Sequence, residues 1–372
     1  MQELIEILDT NTEIAPIVQS LTLKGVPTPQ AWDRKEYCWD DESGTMRLWE
    51  RFPNLRILKF QFLRFDKGLH QLLPLAYSLP RLEDIAVVNS QAFLPRRYPA
   101  RPPFRDSVVA LDAPPKLRSL RVMGGPISWA FLEDLARLLL EPGMLAPLDT
   151  LDLSCISHSS NFMRATRDRT DTLPSQAWAP VIASLGQTLR HCTLGLLAAE
   201  CSPANLANLY ESLKQCTCLH SLGIQCSVLT PRDNNTGHSP FVFLDMLADM
   251  LWPPSGGPHS GSSATATATV PFPELDMLSV GWRRAREPVP PGCADACRKL
   301  ARALESRSSH GFNLKGLDVT VQTDWKRGMK RGAQQREVAE QEPMVRSYFD
   351  QVVAPAGTVQ LRVEMTVDFL CL

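Results

Sequence analysis

One phrase returns along this chain at intervals of a few tens of residues. Leu55-Arg56-Ile57-Leu58-Lys59-Phe60 reads Leu-x-x-Leu-x-Phe, Leu117–Val122 reads Leu-x-x-Leu-x-Val, and Leu148–Leu153 reads Leu-x-x-Leu-x-Leu. Ten copies can be aligned on a middle apolar anchor: Leu21, Leu58, Ile85, Leu120, Leu151, Cys192, Leu222, Leu278, Leu317 and Leu361. Two residues after each stands a second apolar residue, from Leu23 and Phe60 through Val319 and Val363. In the first nine copies the residue three before the middle anchor is apolar too, whereas Thr358 holds that place in the tenth. Alternate apolar residues over so short a run point to one side of a strand. A single copy means little, because leucine is common. Ten copies at irregular spacing are the signature of stacked repeats.

Between the phrases lie patterns of helical period. Leu69, Leu72, Leu73 and Ala76 share one face over residues 66–79, and Phe131, Leu132, Leu135, Leu138 and Leu139 follow Ser128, a candidate cap. Ser202-Pro203 and Ser239-Pro240 open two more such stretches, and Pro291 precedes another holding Cys293, Cys297, Leu300 and Leu304. Strand and helix therefore alternate. Parallel strands joined by right-handed helical crossovers are the expected result. The predicted fold class is α/β: an irregular leucine-rich-repeat solenoid over residues 1–372, with a parallel β-sheet on the concave face and helices on the convex face. The competing reading is an ordinary α/β domain in which the phrase recurs by chance.

Loops interrupt the array. Residues 27–47 and 154–174 read as extended polar loops, and 95–106 is rich in Pro and Arg. Residues 253–271, with Ser255-Gly256-Gly257 and an Ala-Thr run, lack the apolar content to order themselves and read as a disordered insertion. The chain ends on an unbroken alternation, Val359, Leu361, Val363, Met365, Val367 and Phe369 against Gln360, Arg362, Glu364, Thr366 and Asp368: a long terminal strand.

Charge excludes some partners. Lys and Arg number 39 against 40 Asp and Glu, so no strong field favours nucleic acid or an anionic membrane surface. No apolar run reaches the roughly 20 residues of a membrane span, and Met1–Asp9 is acidic rather than a secretory leader. The ten cysteines are then expected to be reduced thiols in cytoplasm or nucleus.

Catalytic signatures are missing from the sequence. It holds no Gly-x-Ser-x-Gly elbow, Walker loop, Gly-x-Gly-x-x-Gly or His-Glu-x-x-His. His191, Cys192, Cys201, Cys216, Cys218, His220 and Cys226 fall close in sequence, but without a Cys-x-x-Cys pair they make a poor zinc set. Neither metal nor cofactor is expected, and the chain is read as a non-enzyme, with a hydrolase or transferase hidden in the fold as the remaining alternative. Two basic clusters, Arg283-Arg284-x-Arg286 and Lys326-Arg327-x-x-Lys330-Arg331, read as solvated loops before they read as phosphate or import sites.

The residue between the last two anchors of each phrase points away from them. That column carries the candidate partner-binding residues Lys59, Arg121, Asp152, Thr193, Ser279, Asp318 and Arg362. Ten strands at about 4.8 Å would span roughly 43 Å, a length suited to a protein or peptide rather than a metabolite. The plainer role for the column is to keep the sheet soluble.

The segment Glu6–Leu23 (Glu6-Ile7-Leu8-Asp9-Thr10-Asn11-Thr12-Glu13-Ile14-Ala15-Pro16-Ile17-Val18-Gln19-Ser20-Leu21-Thr22-Leu23) resembles the stretch that follows the F-box in fungal F-box proteins, and Phe52-Pro53-Asn54-Leu55-Arg56-Ile57-Leu58 and Phe272-Pro273-Glu274-Leu275-Asp276-Met277-Leu278 resemble the irregular leucine-rich repeats of the same group. The resemblance implies the substrate-recognition part of a ubiquitin ligase, binding a protein partner that is a ubiquitylation substrate. The F-box itself is not visible. The resemblance therefore implies a Skp1-type adaptor only where an F-box lies upstream, and a stand-alone scaffold is the alternative. The family's strand-following Asn or Cys is also displaced: Asn89, Cys155 and Cys226 come two residues after the last anchor rather than three.

Overall fold

The computed structural model describes residues 2–25, 38–39, 52–65, 79, 81–92, 116–124, 129–140, 147–154, 174–197, 203–227, 241–252, 271–284, 293–312, 314–324, 331–354 and 359–368. The strands, in chain order, are β1 Ser20–Lys24, β2 Cys38–Trp39, β3 Ile57–Gln61, β4 Arg64–Phe65, β5 Asp84–Val88, β6 Gln91–Ala92, β7 Ser119–Met123, β8 Thr150–Leu153, β9 His191–Leu197, β10 Ser221–Ser227, β11 Met277–Arg284, β12 Gly316–Asp324 and β13 Gln360–Asp368. The helices are α1 Gln2–Thr10, α2 Trp129–Leu139, α3 Pro174–Ser184, α4 Pro203–Lys214, α5 Val242–Leu251, α6 Cys293–Ser309 and α7 Arg331–Val353. The fold is α/β. Ten strands form an open parallel sheet in the order β1-β3-β5-β7-β8-β9-β10-β11-β12-β13, and β2-β4-β6 form a second, small parallel sheet. The chain divides into two compact units, Met1–Val181 and Ile182–Leu372.

Each repeat phrase builds the same local structure. In the first unit a tight turn brings the chain to the sheet: Leu55 N–H donates to Phe52 O at 3.1 Å, and Leu82 N–H to Leu79 O at 3.2 Å. Pro53 sits inside the first of these turns, where its fixed φ suits the bend. One carbonyl then accepts two successive N–H groups from the next strand. Gln19 O takes Arg56 and Ile57, Arg56 O takes Glu83 and Asp84, Glu83 O takes Arg118 and Ser119, and Arg118 O takes Asp149 and Thr150.

From there the middle anchors pair in register, Leu21 with Leu58, Leu58 with Ile85, Ile85 with Leu120, and Leu120 with Leu151. From Leu58 onward these anchors belong to the core, with the apolar residues two positions later: Leu58, Phe60 and Leu151 are wholly buried. Burial of each such side chain stabilises by about 1.5–3 kcal/mol. The strands end at matching places too. Phe62, Asn89 and Gly124 follow β3, β5 and β7 with φ of 54°, 48° and 61°, so the chain turns left-handed at each exit. At Gly124 a Cβ would come within 2.2 Å of Asn89 Oδ1. The next short strands, β4 and β6, start from these corners, and the buried Ser90 hydroxyl ties two corners together by accepting from Leu63 N–H at 3.2 Å.

The second unit repeats the plan with longer strands. Cys192 pairs with Leu222, Leu222 with Leu278, Leu278 with Leu317, and Leu317 with Leu361. Arg190 O, His220 O and Asp276 O each accept two N–H groups from the following strand. The helices pack in sequence, α4 on α5, α5 on α6 and α6 on α7, and α7 lies on β13. Tyr210 Oη donates to Phe243 O at 3.0 Å between α4 and the start of α5. Trp282 of β11 is edge-on to Phe241 at 5.7 Å and stacked on Phe349 of α7 at 5.9 Å.

The expected helices after Ser128, Pro203, Pro240 and Pro291 are α2, α4, α5 and α6. The terminal alternation is β13. Helices α3 and α7 were not singled out by periodicity. Expected elements and loops at 66–78, 95–106, 155–173 and 253–270, and most of 27–47, lie outside the described residues, as does most of the second basic cluster.

Candidate partner-binding face

The residue between the anchors lines up across the strands as expected. In the first unit Thr22, Lys59, Ala86, Arg121 and Asp152 are register neighbours. In the second, Thr193, Gly223, Ser279, Asp318 and Arg362 are. Their exposure is uneven. Thr22 and Arg362 are exposed; Lys59, Arg121, Asp152, Thr193, Ser279 and Asp318 are half-buried. Ala86 is buried because its register neighbours are Lys59 and Arg121, whose long stems can cover so small a side chain. Gly223 is covered by Thr193: a Cβ there would meet Thr193 Cγ2 at 2.9 Å.

Among the described residues the first unit gathers three charged side chains side by side on the face. The Arg121 guanidinium pairs with the Asp84 carboxylate on the adjacent strand β5. On its other side Arg121 is the register partner of Asp152 on β8. One cation thus stands between two carboxylates on three neighbouring strands. Asp152 Oδ1 accepts the Ser154 N–H at 2.9 Å. Burial nonetheless pushes the Asp152 carboxyl above the ordinary aspartate range, with the Ser154 hydrogen bonds and the Arg121 charge opposing it. Asp84 Oδ1 and Arg121 Nε are both buried without a hydrogen-bond partner. The group is held in place by only part of its bonding capacity. Asp84 was not among the residues read from the sequence, because its column lies one step along the strand from Arg121.

In the second unit the face is flatter. Gly195, Gly223, Gly281 and Gly316 stand at outward positions of β9 to β12. Met277 fills the space above Gly316, at 2.8 Å from the position of a Cβ. Arg362 Nη2 lies 3.3 Å from Glu364 Oε2 on its own strand, leaving the neighbouring Asp318 without an ion pair among the described residues.

The thiols and imidazoles have quieter roles. Cys192 is buried at its anchor position, and Cys216 is buried with its thiol directed at Ile182 O and Ser212 O. Burial pushes that thiol up to about 12, far from a reactive thiolate. His220 Nδ1 lies 2.8 Å from Cys218 O and 3.5 Å from Glu274 Oε2. Among the described residues no group of three or more His, Cys, Asp or Glu side chains is gathered as a metal site, and no helix is long and apolar enough to cross a membrane.

No protein-family model matches the chain, and no curated protein matches it.

Proposed function

We propose that this chain is a non-catalytic repeat protein that binds a protein partner on the outward face of its sheet. In this reading the ten strands are the successive units of one irregular leucine-rich-repeat solenoid over residues 1–372, with the sheet concave and the helices convex. The register of the anchors and the recurrent double-acceptor carbonyls support the repeat. The observation that carries the binding role is the Asp84–Arg121–Asp152 group. Three charged side chains of both signs are held half-buried on the sheet face, where bare solubility would be served by exposed ones. Lys59, Thr193, Ser279, Asp318 and Arg362 extend the contact surface.

The resemblance to the fungal F-box group gives the proposal its biological form: a substrate-recognition protein of a ubiquitin ligase in cytoplasm or nucleus, its partner the protein to be ubiquitylated. Affinity purification of the tagged chain from a eukaryotic lysate, read by mass spectrometry, tests this. A partner held by the wild type and lost by Arg121→Glu supports the face. Cullin subunits in the same eluate support the ligase link, and stable partners without them assign a scaffold instead. Retention of every partner by Arg121→Glu would remove the basis for placing the site here.

A further inference from the structure

We propose that the edge of β1 turned away from β3 accepts a strand from a protein partner whose sequence alternates acidic and apolar residues. The inference rests on reading the chain as a partner-binding protein, but it uses a surface separate from the Arg121 group.

The backbone makes the first case. Strand β1 is the terminal strand of the large sheet, and among the described residues it pairs with β3 alone. Gln19 O and Gly25 N–H both bond toward β3. Alternation along a strand therefore turns the N–H and C=O groups of Ser20, Thr22 and Lys24 the other way. An extended peptide satisfies such a row by strand addition.

The two faces of β1 then specify the side chains. On the inward side Leu21 and Leu23 are only half-buried, whereas their register partners Leu58 and Phe60 are fully covered. Ile17, just before the strand, is 74% exposed. Apolar residues of an added strand would complete this row. On the outward side Lys24 is exposed and Lys59 half-buried, and neither has a carboxylate partner among the described residues. Arg121 on the same face does have one. Lys24 would adjoin the added strand directly, and Lys59, one strand further in, adds to the field. Acidic residues at alternate positions meet that charge.

The other terminal strand differs. On β13 the outward Arg362 and Glu364 engage each other, so among the described side chains of that strand no charge is left uncompensated. A second copy pairing through β1 would add its own Lys24 to the patch, and a polyphosphate would meet Asp84, Asp152 and the half-exposed leucines.

Fluorescence anisotropy with the full chain tests this, using a labelled peptide of alternating glutamate and valine. The expected result is saturable binding, weakened about tenfold by Lys24→Glu and unchanged by Arg121→Glu. The same peptide with N-methyl groups on alternate backbone nitrogens should lose binding, an arm that needs no protein variant. Binding that survives N-methylation, no binding at all, tighter binding of oligothymidylate, or a dimer in sedimentation that Thr22→Pro abolishes would each overturn the proposal. Failure here alongside partner loss by Arg121→Glu in affinity purification would leave the sheet-face reading standing.

Discussion

Arg307 Nη2 donates to the carbonyl oxygen of Phe272 across 2.8 Å, and the guanidinium that does so is buried. Its Nη1 donates to Pro271 O at 2.5 Å, and the Phe312 ring lies 5.8 Å away. Carbonyl dipoles and a ring face replace a carboxylate partner, and burial lowers the guanidinium to about 10. Just beyond it, His310 packs on Trp252 at 4.5 Å. Trp252 is the last described residue before 253–270 and Pro271 the first after it. Both ends of that segment are therefore clasped by the C-terminal end of α6.

Arg307→Ala should lower the unfolding free energy by about 3 kcal/mol, since it opens a cavity and strands two carbonyl oxygens. Arg307→Lys should cost less, because an ammonium can still reach one of them. Urea unfolding of the three proteins checks the order; equal stability of Ala and wild type would show that the clasp contributes nothing.

Replacing 254–269 by a short Gly-Ser bridge should leave stability within about 1 kcal/mol, because the clasp already holds the ends and loop-closure entropy changes slowly with length. Differential scanning calorimetry would register the opposite result as a large drop in Tm.

Anchors should be graded by their place in the sheet. Leu58→Ala, in a fully covered position, should cost about 2–5 kcal/mol. Leu21→Ala, half-buried on the terminal strand, should cost about 1 kcal/mol or less. Chemical denaturation separates the two, and equal costs would mean that β1 is covered as fully as β3.

Asp152 gives the fold a pH dependence of defined sign. Its folded pKa is raised above the unfolded value. Between the two values the folded state holds more of this proton than the unfolded state, so this carboxyl's contribution falls as pH rises through that window. Asp152→Asn should therefore gain stability relative to wild type on going from acid to neutral pH. Melts of both proteins across that range read the difference, and a difference that shrinks with rising pH contradicts the assignment.

Much of this architecture was legible because an in-register parallel sheet writes its core as a repeated spacing. Leu58, Leu120 and Leu278 announce their strands by the apolar residues around them. Helix α7 was not legible: it is largely polar and carries Pro343, and among its described side chains the buried ones, Val345, Phe349 and Val352, lie in its second half. The outward column was readable from alternation, but its chemistry was not. Pairing of Arg121 with Asp84 depends on which strands are neighbours and in what register. Arg307 looks like any surface helix arginine until Pro271 and Phe272 are seen against it.

The central claim is that the sheet face, and not the helices, meets the partner. Biolayer interferometry of the partner recovered by affinity purification measures this directly. Arg121→Glu and Asp318→Lys should each weaken binding about tenfold, while Glu211→Lys on α4 and Arg298→Glu on α6 leave it unchanged. Loss of affinity in the helix variants with none in the sheet variants would contradict the account.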